Sequence, residues 1–206
     1  MLHMTGLFDL CWHVRGLECF LIDMVADEKF TEELLDKMLE INLDIISQIP
    51  DAIDGIRFGE DWGLQKGMIM GASLWRKYLK PRLKIMYDAA RKRGFYVLIH
   101  TCGDVSEIFD DIIEIGVDVV NPVQPEAMDI HALQCKYGRH ITMYGGIGSQ
   151  SVLVYGSPND VIEQAKGRLQ LFCAGGYILG PAGAIPTDAK IENVIALVEF
   201  VKKGYQ

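Results

Sequence analysis

Apolar residues along this chain gather in short, nearly unbroken runs, and each run follows a helical stretch that closes on glycine. The pattern appears as "AARKRGFYVLIH", "IIEIGVDVVNP", "QCKYGRHITMYGG" and "FCAGGYILGP". Runs without polar alternation suit parallel strands covered on both faces. Gly94, Gly116 and Gly138 recur at equal spacing and are expected to end helices in the left-handed conformation. Six strands are predicted, over residues 2–8, 54–59, 95–101, 117–121, 140–145 and 176–180. Between the first two, "FTEELLDKMLEINLDIISQI" repeats leucine and isoleucine at helical steps, with Thr31 as the expected N-cap and Pro50 beyond the end. "GASLWRKYLKPRLKIMYDAARKRG" reads as two helices, or one kinked helix, meeting at Pro81. The last helix, "KIENVIALVEFVKKG", stops on two lysines and a glycine. Alternating strands and helices predict an α/β fold with right-handed crossovers. The pattern alone leaves both an open doubly wound sheet and a barrel in play.

Composition narrows the function more than the fold. The 206 residues, half of them hydrophobic, suffice for one core, so a single domain over 1–206 is expected. A formal charge of −8 argues against a nucleic-acid partner, whose phosphates need a basic face. Five cysteines at irregular spacing read as reduced thiols of a cytoplasmic protein. "MLHMTGLFDLCWHVRG" lacks the basic and apolar regions of a signal peptide. The longest uncharged stretch, 140–159, is rich in Gly and Ser, so no membrane segment is expected.

Chemistry concentrates where the strands end. "RFGEDWG" presents Glu60, Asp61 and Trp62; "HTCGD" presents His100 and Cys102; "NPVQPEAMD" presents Asn121, Gln124 and Glu126. In either α/β architecture this rim carries the functional site. Glu60, Asp61 and Glu126 are candidate catalytic acids, and Trp62, Asn121 and Gln124 candidate substrate contacts. Met68 and Met70 of "GMIMG" read either as a flap over the pocket or as core. If the strand persists through Cys102, His100 and Cys102 project to one side with Cα atoms ~7 Å apart, close enough to share one ion. Imidazole and thiolate are zinc ligands, and a third would come from Glu60, Asp61 or Glu126, leaving a position open for a substrate thiol or water. The structural alternative is a buried thiol beside a satisfied histidine. Asp104 is expected to cap the following helix. Cys135 and Cys173 read as packing thiols.

Segments covering almost the whole chain, "TGLFDLCWHVRG", residues 54–130, "YGGIGSQSVLVYGSPNDV" and "GGYILGPAGAIPTDAKIENVIAL", resemble the uroporphyrinogen decarboxylase superfamily. That superfamily includes the decarboxylase of haem synthesis and the zinc-dependent methyltransferases that move methyl groups between corrinoid proteins and thiols. The resemblance implies a (β/α)8 TIM-type barrel that is incomplete here, the six strands corresponding to barrel strands 3–8. The chain is then either a fragment or a shortened member. Its bare edges predict dimerisation, swapping or a covering segment. His100 and Cys102 match two zinc ligands of the methyltransferase branch, whose further cysteine falls near Gly183 here. The decarboxylase's arginine-rich N-terminal segment is not matched, Trp12 stands where the resemblance puts a tyrosine of its third-strand region, and "GPAGAIP" lacks the histidine of its final strand loop. The resemblance therefore implies methyl transfer between a corrinoid or methoxylated donor and a thiol or other acceptor, with zinc, a small-molecule substrate and a corrinoid protein as partner. Two alternatives stand beside it. One is a metal-free carboxy-lyase of tetrapyrrole metabolism, with Arg57 or Arg15 as contacts. The other is a non-catalytic binding subunit.

Overall fold

The computed structural model describes residues 1–204 and resolves two compact units, Met1–Val119 and Val120–Gln206. The first unit runs β1 (Leu2–Thr5), α1 (Leu7–Arg15), α2 (Leu17–Ala26), α3 (Glu28–Gln48), β2 (Gly55–Gly59), a hairpin of β3 (Gly63–Leu64) and β4 (Gly67–Met68), α4 (Gly71–Leu74), a π-type turn (Trp75–Leu79), α5 (Lys80–Lys92), β5 (Tyr96–His100), a 3-10 turn (Ser106–Ile108) and α6 (Phe109–Glu114). β1, β2 and β5 pair in parallel in that order, Leu2 with Ile56 and Ile56 with Val97. β6 (Val119–Val123) opens on the last residue of the first unit, and the second unit holds the rest of it with α7 (Ile130–Tyr137), β7 (Thr142–Ile147), α8 (Val152–Tyr155), α9 (Pro158–Leu171), β8 (Tyr177–Pro181) and α10 (Ile191–Lys202). Its strands lie in the order β6-β7-β8, with β7 and β8 parallel.

All six predicted strands are present, shifted by a few residues, and the α/β reading holds. The first is shorter than expected: β1 stops at Thr5, and Leu7–Arg15 is helix. α3 is capped by Asp27, whose carboxylate accepts the Phe30 N–H; Thr31 is buried inside the helix. The helix starts one turn early because Asp at this position satisfies an orphan amide directly. Pro81 falls in the first turn of α5, where its missing N–H costs nothing, and the π-type turn before it makes the junction. Gly94 and Gly116 take positive φ as expected, but Gly138 is right-handed at φ −61°. The chain there continues through a further turn, which delays β7 to Thr142. Cys135 and Cys173 are exposed rather than packed, because each lies on the outward side of its turn or helix.

Each unit has its own core. In the first, Ile56, Phe58, Val97 and Ile99 are fully buried beneath Tyr87, whose ring lies 5.0 Å from that of Phe58. In the second, Ile147, Leu153, Val161, Ala165, Leu197 and Phe200 cluster, and Asn193 ties α10 to α8 through the carbonyls of Val152, Leu153 and Gly156. α10 is apolar on both sides: Leu197 and Phe200 face this core, while Ile191, Ile195 and Val198 are 46–63% exposed. Among the described residues no helix is long and apolar enough to cross a membrane.

Candidate metal centre

Residues 60–62 follow β2 and are held along every backbone N–H. Glu60 N–H donates to the His100 carbonyl at 2.7 Å, and Trp62 N–H to Thr101 Oγ1 at 3.1 Å. The middle amide, Asp61 N–H, points the other way and donates to Asp9 Oδ1 of α1 at 3.3 Å. Side chains alternate likewise along this extended stretch. Glu60 turns inward, is fully buried, and its carboxylate accepts Leu7 N–H at 2.6 Å, Phe8 N–H at 3.0 Å and the Trp62 indole N–H at 3.2 Å. It thus caps α1 from a distance, a favourable place for an anion. A Cβ at Gly6 would lie 2.2 Å from the Glu60 carboxyl carbon, so only glycine lets the helix start so close. Burial, with the charge of Asp9 adding to it, pushes the Glu60 carboxyl up to about 8 against the pull of its three N–H donors. Trp62 is also fully buried, edge-on to Trp75 at 5.3 Å.

Asp61 faces outward and meets His100 and Cys102. β5 ends at His100, one residue pair short of the extent that the shared-side argument assumed. The two groups nevertheless converge, with Cys102 Sγ 3.7 Å from His100 Nε2. The turn that brings them together is closed by the hairpin. Asp104 N–H donates to the Leu64 carbonyl at 2.7 Å, and Gly63 lies against Gly103 so tightly that a Cβ on Gly63 would sit 2.3 Å from the Cys102 carbonyl. Gly103 is left-handed at φ +79°. Asp104 accepts Ser106 N–H at 2.9 Å, but the cap position of the 3-10 turn is Val105 and that of α6 is Ile108, so Asp104 does not fill the capping role expected of it.

One carboxylate oxygen of Asp61, Nε2 or Nδ1 of His100 and Sγ of Cys102 all lie within 4.8 Å of one another. Asp61 Oδ1 also accepts the Cys102 N–H at 3.0 Å. Burial pushes the Cys102 thiol up to about 11, helped by the neighbouring Asp61 charge and hydrogen bond. An N, S, O donor set of this kind fits zinc. Two protein donors on a tetrahedral zinc stand ~3.5 Å apart given bonds of 2.0–2.3 Å, close to the His100–Cys102 separation. Asp61 is exposed and the other two are half-buried, so one side of the set faces solvent. Of the three carboxylates considered as third ligand, Asp61 is the one in this cluster. Glu60 points into the core.

Met68 lies in β4, half-buried, and Met70 is buried. In the second unit, Asn121 and Gln124 are buried on and just after β6. Glu126 accepts Gln150 N–H at 3.1 Å and Ser151 O–H at 2.7 Å through Oε1. Gly183, at φ +111°, lies in the turn after β8, 4.0 Å from Ser149 Oγ at its prospective Cβ. Asp9, Thr101 and the Gly63–Gly103 contact were not singled out by sequence. Asp9 fell in a stretch bordering a predicted strand, and nothing in the chain pairs positions 9 and 61.

A methyltransferase from Methanosarcina mazei superposes with a TM-score of 0.80 at 20% identity, over 99% of this chain and 58% of its own. Dihydropteroate synthase from Anaplasma phagocytophilum, solved with 6-hydroxymethylpterin-monophosphate, superposes with a TM-score of 0.54 at 20% identity, over 85% and 69%. At these identities the superpositions speak for the fold, which is the α/β type of an incomplete TIM barrel with six strands. In sequence, the methylcobamide:CoM methyltransferase MtbA of Methanosarcina acetivorans is 23% identical over 200 residues, 97% of this chain and 56% of the relative. The chain thus spans little more than half the length of these methyltransferases. Residues 3–204 match the sequence pattern of uroporphyrinogen decarboxylase (URO-D), and the chain belongs to that family.

Proposed function

We propose that this chain carries the metal-binding half-site of a zinc-dependent methyltransferase, with Asp61, His100 and Cys102 as the protein ligands. The observation that carries the reading is the convergence of the three unlike donors within 4.8 Å. Three protein ligands with one open, solvent-facing position are the arrangement of a catalytic rather than a structural zinc. When bound there, zinc supplies Lewis acidity that keeps an acceptor thiol ionised at neutral pH. The chain's own part is to hold His100 at the end of β5, to turn Cys102 beside it through Gly103, and to offer Asp61 from the neighbouring strand. Cys102 must give up its proton to become a ligand, so metal uptake is coupled to proton release.

The name of the MtbA relative supports a methylcobamide as methyl donor, and a corrinoid protein is the partner this reading calls for. The carboxy-lyase alternative has less support: Arg15 is held by Asp23 at 2.6 Å, and Arg57 lies 3.2 Å from His3 Nδ1. The test is elemental analysis of the purified 206-residue chain beside a His100→Ala/Cys102→Ala variant. Near-stoichiometric zinc in the first and trace zinc in the second is expected. Equal trace zinc in both, after incubation with zinc and dialysis, overturns the metal site and leaves the metal-free readings, carboxy-lyase or binding subunit.

A further inference from the structure

We infer that Asp9 is a positioning residue for the metal centre, holding the Asp61 ligand from α1 without touching the metal; the inference rests on the metal reading above. The argument starts from the backbone of residues 60–62. Its outer two amides are taken by the end of β5, at the His100 carbonyl and Thr101 Oγ1. Those bonds fix the strand but leave the middle peptide able to rotate about its neighbours. Asp9 Oδ1 takes the middle amide, and the same oxygen accepts the Trp12 indole N–H at 3.0 Å. Asp9 Oδ1 therefore receives two donors, one from residues 60–62 and one from its own helix.

α1 is itself fixed where this matters. Its first amides are bound by Glu60, and Gly6 N–H donates to the Gly59 carbonyl at 2.7 Å. The helix and the 60–62 stretch thus hold each other twice, Glu60 reaching into α1 and Asp9 reaching back to Asp61. The result orients the Asp61 carboxylate toward Cys102 N–H and His100. Outer-shell partners of this kind orient the ligands of metal sites. Without the Asp9 carboxylate the Asp61 amide has no acceptor on α1, and Cys102 N–H is left as the hydrogen bond that orients the ligand.

Cobalt(II) titration of the full 206-residue chain tests this, read by the thiolate-to-cobalt charge-transfer band and by the d–d bands that report coordination. Asp9→Ala is expected to weaken cobalt binding by ~10–100-fold, the usual cost of losing an outer-shell partner. Its d–d spectrum should move to that of Asp61→Ala while the charge-transfer band persists. Asp9→Asn keeps an acceptor oxygen in place and should restore the native spectrum. If Asp9→Ala fails to fold, Asp9→Ser, whose hydroxyl cannot span the gap, replaces it. Native affinity and spectrum in the Ala or Ser variant overturn the assignment of Asp9 alone. A wild-type chain without a charge-transfer band overturns the metal reading and this inference with it.

Discussion

The strand ends of the two units are built differently. In the first unit the turns after β2 and β5 touch backbone to backbone at Gly63 and Gly103, and residues 60–62 have an acceptor for each amide. In the second, the turn after β8 is open around Gly183, and Glu126 is held through Gln150 and Ser151 while its Oε2 is buried without a hydrogen-bond partner. Three donors converge where the surrounding chain leaves no freedom, and a carboxylate with an unused oxygen stands where freedom remains. Metal ligands need fixed directions, since a donor misplaced by an ångström no longer shares the ion.

Substitutions that strike the same feature in both units would break or sharpen this contrast. Gly103→Ala puts a Cβ 2.5 Å from the Gly63 backbone at a left-handed position, and should cost about 2–4 kcal/mol of stability. Gly183→Ala meets only strain and should cost about 1–2 kcal/mol, both read by urea unfolding. Similar losses at the two glycines would erase the distinction. Asp61→Ala should weaken zinc binding on the order of 100-fold, while Glu126→Ala leaves it unchanged, by competition with a chromophoric chelator.

Glu60 gives a pH test. Its carboxyl holds a proton more firmly in the folded chain, at about 8, than its ordinary value of 4.5. The folded state therefore binds more protons between those values, and its contribution to stability falls as pH rises through that window. Melting temperatures of the wild type should decline from pH 5 toward ~8, and Glu60→Gln should flatten the decline. An identical slope in both would assign it elsewhere. The smallest effect is in thiol labelling. Cys19, Cys135 and Cys173 should react at once in the native protein, Cys102 slowly, and Cys11 after unfolding, followed by mass spectrometry.

The strands were legible because burial on both faces demands uninterrupted apolar runs, and these survive any choice of partner. The helix ends were less so. Asp27 and Thr31 are both good caps, and Asp27 is the one whose carboxylate takes the free Phe30 amide. Gly138 carried the same sequence signal as Gly94 and Gly116 but continues the right-handed turn. At the site, His100 and Cys102 could be paired because they are two residues apart. Glu60 and Asp61 could not be told apart, since alternation decides only that they face opposite ways, not which faces the core. The Asp9–Asp61 contact spans 52 residues and leaves no local trace.

The β3–β4 hairpin has a practical consequence. Its base is pressed against the cysteine turn with no room for side chains, whereas its tip at Leu64–Lys66 is exposed. A fluorophore attached at Lys66 would therefore ride on a short rigid lever whose foot rests on Cys102 and Gly103. An ion taken up beside Cys102 would then be read as an optical signal, without knowing any substrate.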